Sequence, residues 1–385
     1  MLAESGREER WASGTATFIK PGTIWRCGDP GMASKRVAVI GASGYGGLQT
    51  LRLLQGHPEL EVSFLGGERS SGKRWSELTP FLPLPGDPVV QAPDPDAIAA
   101  SADLAVLSLP NGLASRLAPA LLERGVKVVD LSADYRYSAL AQWKEVYASE
   151  AREFPRSDEQ LCAEAVYGLV EWEQERIAGA RLVAAPGCFP TASLLALTPL
   201  LKQGLIETAG IVIDAKTGTS GGGRAAKEHL LLAEASEGVA PYGVVGHRHT
   251  SEIEQLCSRA AGSAIQLQFT PHLIPMVRGL LATVYGRLRD PGLTAEDITT
   301  VLRAAYRHAP CVDVLPVGTY PSTKWVRQTN RALLSVQVDP RTGQLIVLSA
   351  IDNMVKGQAG QGVQCLNLMV GLPAETGLPL LPFYP

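Results

Sequence analysis

A chain of 385 residues suffices for two or three domains of about 150 residues, with a sizeable core and no need of metal or disulfide help. Its 35 Lys and Arg against 38 Asp and Glu, a net charge of -3, leave no cationic surplus to hold a nucleic-acid backbone or an anionic membrane. With 45% hydrophobic and 19% charged residues, and 39 glycines and 27 prolines spread along the chain, disorder and collagen-like structure are excluded. Residues 1–34 read as a loosely ordered extension. Glu4, Glu8, Glu9 and Asp29 stand among its bases and it has no apolar h-region, unlike a secretory signal or an acid-poor transit peptide; Met32 is an alternative start. Then comes Arg36-Val-Ala-Val-Ile-Gly-Ala42, an apolar run ending in glycine, with Leu48, Leu51 and Leu54 at helical spacing behind it. That order predicts strand, tight turn and helix.

Further buried strands are expected at Glu61–Gly66, Leu104–Leu109, Lys127–Leu131 and Arg181–Ala185, with a helix carrying Leu113, Leu117, Leu121 and Leu122 on one face. Strands alternating with helices predict an α/β fold with a parallel, doubly wound sheet. After Pro186 the pattern changes to a helix from about Thr191 to Lys202, a strand at Ile211–Asp214 and a Gly-rich loop at Gly218–Gly223. Strands at Ile265–Phe269, Val277–Leu288, Ala332–Val338 and Leu345–Ile351 follow, the last two joined through an Asp-Pro turn with Gly343. Long strands joined by hairpins predict a second, α+β domain. Asn353–Leu372 reads as a helix and the tail as irregular, and no run of about 18 apolar residues marks a membrane span. The six cysteines form no C-x-x-C pair, which favours reduced thiols in a cytoplasm.

Four features carry chemistry. Gly41-Ala-Ser43-Gly44-Tyr45-Gly46-Gly47 sits between a strand and a helix, where glycines admit a pyrophosphate to the backbone and the helix N-terminus faces it. After the second strand, Arg69, Ser71 and Lys73 suit a ribose 2′-phosphate and so NADP, while Glu68 leaves NAD open. Cys188, in Pro186-Gly-Cys-Phe-Pro-Thr191, stands at the opening of a helix, which favours thiolate and a nucleophilic role. The other cysteines are small buried hydrophobes by default. Gly246-His247-Arg248-His249-Thr-Ser-Glu-Ile253 offers two imidazoles near a helix expected to begin at Glu252 behind a Thr250 or Ser251 cap. They serve either as acid-base groups or as metal ligands, and no second ligand cluster completes a metal site. Arg136, Lys216 and Arg278 lie beside glycines or turns and suit carboxylate or phosphate.

Six ordered stretches, Val39–Tyr45, Asp130–Arg136, Ala185–Thr191, Gly246–Ile253, Thr270–Gly279 and Lys356–Gln361, together resemble the N-acetyl-gamma-glutamyl-phosphate reductases. These are relatives of aspartate-semialdehyde dehydrogenase within the glyceraldehyde-phosphate dehydrogenase architecture. The family turn usually reads Gly-Tyr-Thr-Gly; here Gly46 replaces the hydroxyl residue but leaves the backbone cradle. The resemblance implies a Rossmann domain over 35–185 and 353–385, NADP-binding, with a catalytic and oligomerisation domain inserted at 186–352. It implies Cys188 as nucleophile and the acid-base role in the His247/His249 pair; in a mechanism through a thioester His247 is the choice for proton shuttle, and Arg136, Lys216 and Arg278 are candidates for the substrate carboxylate and phosphate. It also places Asn353, Lys356 and Gln361 with the cofactor, and suggests a homotetramer or dimer acting on a small acyl phosphate in arginine biosynthesis. Aspartate-semialdehyde dehydrogenase, a noncatalytic NADP sensor or scaffold, and a metal hydrolase built on His247 and His249 are the competing readings.

Overall fold

The computed structural model describes residues 34–383; the expected extension apart from Ser34, with Met32 and Cys27, lies outside the described residues. Strands β1 (Lys35–Ile40), β2 (Leu60–Gly66), β3 (Leu104–Leu107), β4 (Lys127–Asp130), β5 (Val166–Tyr167) and β6 (Leu182–Ala184) form one parallel sheet in the order β2-β1-β3-β4-β6-β5. Their apolar runs are continuous because both faces are covered. Val37 and Val39 point into one core with helices Tyr45–Leu54 and Gly360–Met369. Ala38 and Ile40 point into the other, with helix Ala114–Glu123. Strand order reverses between β1 and β3, and the carboxyl ends of those two strands open a crevice.

A second sheet contains β7 (Val212–Thr217), β8 (Ala240–Pro241), β9 (Gln268–Leu273), β10 (Leu280–Arg287), β11 (Val312–Val314), β12 (Ala332–Asp339) and β13 (Gln344–Ile351). It is mixed, in the order β11-β12-β13-β10-β7-β9-β8, with β10, β12 and β13 antiparallel and β7 parallel to β9. Helices Cys188–Lys202, His249–Ala261 and Ala295–Ala305 cover one face and share its core. Leu194, Leu195, Leu197 and Leu200 are closed to solvent, each worth about 1.5–3 kcal/mol of apolar burial, so the helix that opens at Cys188 is anchored along its whole length. The chain then returns through helix Gly360–Met369, whose Val363, Leu366 and Met369 join the core of the first sheet.

Several element boundaries differ from the sequence reading, each for a local reason. The helix expected from Thr191 begins at Cys188, because Gly187 is its extended N-cap and its carbonyl accepts from the Thr191 N–H. The helix expected at Glu252 begins at His249, so Thr250 and Ser251 lie in its first turn and do not cap it. The strand expected from Val277 begins at Leu280 after a turn in which Gly279 takes φ +121°. The strand expected at Ile265–Phe269 is displaced to Gln268–Leu273. Helix Ala295–Ala305 is capped reciprocally by Thr294 and Asp297, the T-x-x-D form of a capping box.

Candidate active site

The glycine turn occupies the crevice at the reversal point. Gly41 has φ +80°, and a Cβ there would run into the Ser108 carbonyl; one on Gly47 would strike the Gly41 carbonyl. Only glycine closes this turn. Gly44 caps helix Tyr45–Leu54 without a side chain, and the first helical turn holds no acidic residue. The backbone N–H groups and the positive dipole end are therefore left to an anion. Ser43 lies in the same turn, and its carbonyl accepts from Arg224 Nη1 of the Gly-rich loop at 2.6 Å, a contact between domains that spacing does not reveal. Tyr45 is exposed beside it. Arg69, Ser71 and Lys73, with Glu68, are exposed just past β2, the place of the adenosine ribose in this topology. A turn that only glycine closes at Gly41 and Gly47, an uncapped helix end and basic groups past β2 fit a phosphorylated dinucleotide.

Cys188 is half-buried at the first position of its helix. Desolvation pushes its thiol up to about 11; the Phe189 N–H, the Arg136 charge and its own N–H pull the other way, and Glu252 adds to the rise. This corrects the expectation of a thiolate near neutrality: the helix end supplies donors, but desolvation outweighs them. His247 and His249 stand together, ring centroids 4.8 Å apart, both edge-on to Phe189. Burial, with Arg248 beside it, lowers His247 to about 4. Burial, and then the neighbouring His247, Arg136 and Arg248, hold His249 well below the usual imidazole range. His247 Nδ1 accepts from the His249 backbone N–H at 3.1 Å, so the neutral ring carries its proton on Nε2. His249 Nε2 lies 2.5 Å from the point a Cβ on Gly187 would occupy, one residue from Cys188. Among the described residues no three His, Cys, Asp or Glu side chains converge as a metal set.

Glu252, to which the sequence reading assigned no role, organises this corner. Its side chain is closed to solvent, and Oε1 accepts from the Gly187 N–H at 3.0 Å and the Tyr167 hydroxyl at 2.7 Å. Oε2 takes Arg136 Nη1 at 3.1 Å. Arg136 also donates to the carbonyls of Ala185 and Leu131. Each guanidinium nitrogen thus donates once to a protein acceptor, and Arg136 braces the Pro186-Gly187-Cys188 segment; two of its five N–H groups are left over. The signal for Glu252 was legible: an acid three residues past His249 shares that face of the helix.

Other expected residues fall elsewhere. Lys216 pairs with Asp214 at 2.8 Å. Ile213 and Ala215 enter the core under helix Cys188–Lys202, so strand alternation sends Lys216 to the opposite face of the sheet, away from the thiol. Arg278 donates to Asp352 and Gln49 and lines a cavity of about 660 Å³ with Gln49, Arg52 and Arg224; Cys188, His247 and His249 are not on its wall. Lys356 is fully buried, its ammonium donating to Glu171, Gln361 and Gln364 at 2.6 Å each, and Gln361 donates to the Gly168 carbonyl. Both side chains are closed to solvent, and the lysine beside glycine is engaged by a buried carboxylate. Asn353 accepts from the Gly279 N–H and donates to Ser220, so it braces the Gly-rich loop.

Residues 36–180 match the semialdehyde dehydrogenase NAD binding domain, and residues 188–353 the semialdehyde dehydrogenase dimerisation domain. N-acetyl-gamma-glutamyl-phosphate reductase of Synechococcus sp. (strain CC9605) is 75% identical over 350 residues, 91% of this chain and 98% of that protein. The same enzyme of Prochlorococcus marinus (strain MIT 9313) is 73% identical over the same shares of the two chains. Among solved structures, aspartate semialdehyde dehydrogenase II of Vibrio cholerae, complexed with ASA, superposes with a TM-score of 0.66 at 19% identity, over 88% of this chain and 99% of that one. Aspartate semialdehyde dehydrogenase of Candida albicans, with NADP, gives 0.62 at 18% identity, over 88% and 99%. The solved structures share the fold, while identity at this level across nearly the whole length places the chain in the N-acetyl-gamma-glutamyl-phosphate reductase family.

Proposed function

We propose that the chain catalyses NADPH-dependent reduction of N-acetyl-glutamyl 5-phosphate to the 5-semialdehyde and phosphate, a step of arginine biosynthesis. The observation that carries the chemistry is Cys188 at a helix N-terminus with the His249 Nε2 edge beside Gly187. The glycine turn, with Arg69 and Ser71 past β2, would hold NADPH, which when bound supplies the hydride that takes the acyl carbon to the aldehyde level.

Thiol and imidazole are both neutral in this site, so loss of the sulfhydryl proton accompanies C–S bond formation. Cys188 Sγ attacks the acyl carbon, its proton passes to His249, the C–O bond to phosphate breaks and a thioester remains. Once that carbon is reduced, its oxyanion lies near the N–H groups that open helix Cys188–Lys202. The C–S bond then breaks, and His249 returns the proton to sulfur as the aldehyde leaves. His249 is favoured over His247, the sequence-based choice, because His247 Nδ1 is engaged by a backbone N–H and its Nε2 then offers a proton where a base must accept one.

We further propose that residues 35–185 with 353–385 act as the cofactor half and 186–352 as the catalytic half of a cytoplasmic homo-oligomer, a tetramer or dimer. The dimerisation-domain match and the free thiols of the five described cysteines support this. The test is NADP-linked oxidation of N-acetylglutamate semialdehyde with phosphate, run beside aspartate semialdehyde. The acetylated substrate is preferred, and Cys188→Ser lowers turnover by about a thousandfold or more, as removal of a nucleophile does. Preference for aspartate semialdehyde, or undiminished turnover in Cys188→Ser, overturns the reading.

A further inference from the structure

Between β13 and the returning helix the backbone makes a π-turn, Val355–Ala359, an irregularity that recurs where function needs backbone placed. Both of its sides are pinned. The Asp352 carboxylate accepts from the Met354 and Val355 N–H groups at 2.8 and 3.1 Å, and the Asp352 carbonyl accepts from the Gly357 N–H at 3.0 Å. Lys356 is tied to Glu171, Gln361 and Gln364. From this fixed frame two successive residues meet two different sites. A Cβ on Gly357 would lie 2.7 Å from Cys188 Cβ, so the backbone there abuts the nucleophile. Gln358 faces the glycine turn: its Nε2 lies 3.1 Å, and the Ser108 hydroxyl 2.5 Å, from the point a Cβ on Gly46 would take. Two protein side chains fill the space beside Gly46.

We propose that this turn transmits occupancy of the glycine cradle to the thiol, with Gln358 the positioning residue on the cofactor side and Gly357 its counterpart against Cys188. The proposal rests on the reading of Gly41–Gly47 as the NADP cradle. A dinucleotide seated on the first turn of helix Tyr45–Leu54 shifts Gly46 and the side chains packed on it. Because Asp352 and Lys356 hold the frame, displacement of Gln358 passes along the backbone to Gly357, and close packing carries it to the sulfur.

The test uses the full chain and 2′-phospho-ADP-ribose, which has the phosphates of the cofactor and no nicotinamide ring, so that shielding of the thiol by the ring is not mistaken for transmission. Calorimetry gives its affinity, and peptide mass spectrometry gives the rate at which iodoacetamide alkylates Cys188. Bound probe is expected to change that rate about fivefold or more, the lower end of ordinary coupling between two sites. In Gln358→Ala the change falls below about twofold while the probe still binds, and Gln358→Met, of similar length, retains it. A wild-type rate that bound probe leaves unchanged, or a full response in Gln358→Ala, overturns the proposal and leaves the cradle standing. Failure of the probe to bind removes the cradle reading and the proposal with it.

Discussion

Replacing Glu252 by glutamine produces two effects of opposite sign, because one carboxylate both neutralises Arg136 and opposes a negative charge on Cys188. In Glu252→Gln the new side chain would keep an oxygen for the Gly187 N–H and the Tyr167 hydroxyl, but its amide nitrogen would face Arg136 Nη1, now 3.1 Å from Oε2, donor against donor. The Arg136 side chain is only 7% exposed. Burial opposes its charge, and Glu252 is foremost among the groups that nonetheless raise its pKa. Removing one member of such a buried pair costs about 3–5 kcal/mol, within reach of a fold of ordinary stability, about 5–15 kcal/mol. The thiol moves the other way. Its value of about 11 includes an upward push from Glu252 and a downward pull from Arg136, so loss of the carboxylate brings it down. Urea unfolding measures the first effect and the pH dependence of Cys188 alkylation the second. A stability loss under about 1 kcal/mol, as for a surface pair, or an alkylation pKa that stays or rises, would refute this account of the corner.

Gly187→Ala has a permissible backbone, φ -67°, but its methyl would sit 2.5 Å from His249 Nε2 and 3.0 Å from Arg136 Nη1. Overpacking of about 1–3 kcal/mol is expected, with kcat reduced about 100-fold by a displacement near 1 Å; a near-wild-type kcat would show that His249 is not at the reacting atoms. His247 and His249, held neutral below the ordinary imidazole value of 6.5, bind protons more readily when unfolded. Their contribution to stability is therefore complete above pH 6.5 and is lost as pH falls toward about 4. A His247→Asn, His249→Asn double variant is expected to flatten the fall of the urea midpoint over that window. Comparison with wild type separates this from Asp130, whose carboxyl burial pushes up to about 7 and whose contribution runs the opposite way; an unchanged slope would count against buried neutral imidazoles. Arg69→Ala is expected to weaken NADPH binding about 10- to 100-fold, the worth of a hydrogen bond to a charged group, and to leave NADH binding within about twofold. Equal losses for both would remove Arg69 from the 2′-phosphate.

Local chemistry made the glycine turn and the helix-opening thiol legible. The apolar run Arg36–Ile40 ending at Gly41, and the Gly187 that lets Cys188 open a helix, act within a few residues of themselves, and their backbone requirements show in the letters. The strand pairs of the second sheet were legible for the same reason: β12 and β13 are neighbours through a short turn. The fate of long charged side chains was not. Arg136, Lys216 and Lys356 all stand beside glycine or turn residues, yet one meets Glu252 from 116 residues away, one turns to the far face of a strand, and one meets Glu171 from 185 residues away. Sequence spacing carries the period of a helix or strand and the dihedral demands of a turn, and those decided the fold class, the glycine cradle and the position of the thiol. Which partner neutralises a buried charge, how two imidazoles are held against each other and how strongly the thiol holds its proton depend on distances and desolvation between segments far apart in the chain. Those quantities exist only once the chain has taken its tertiary structure.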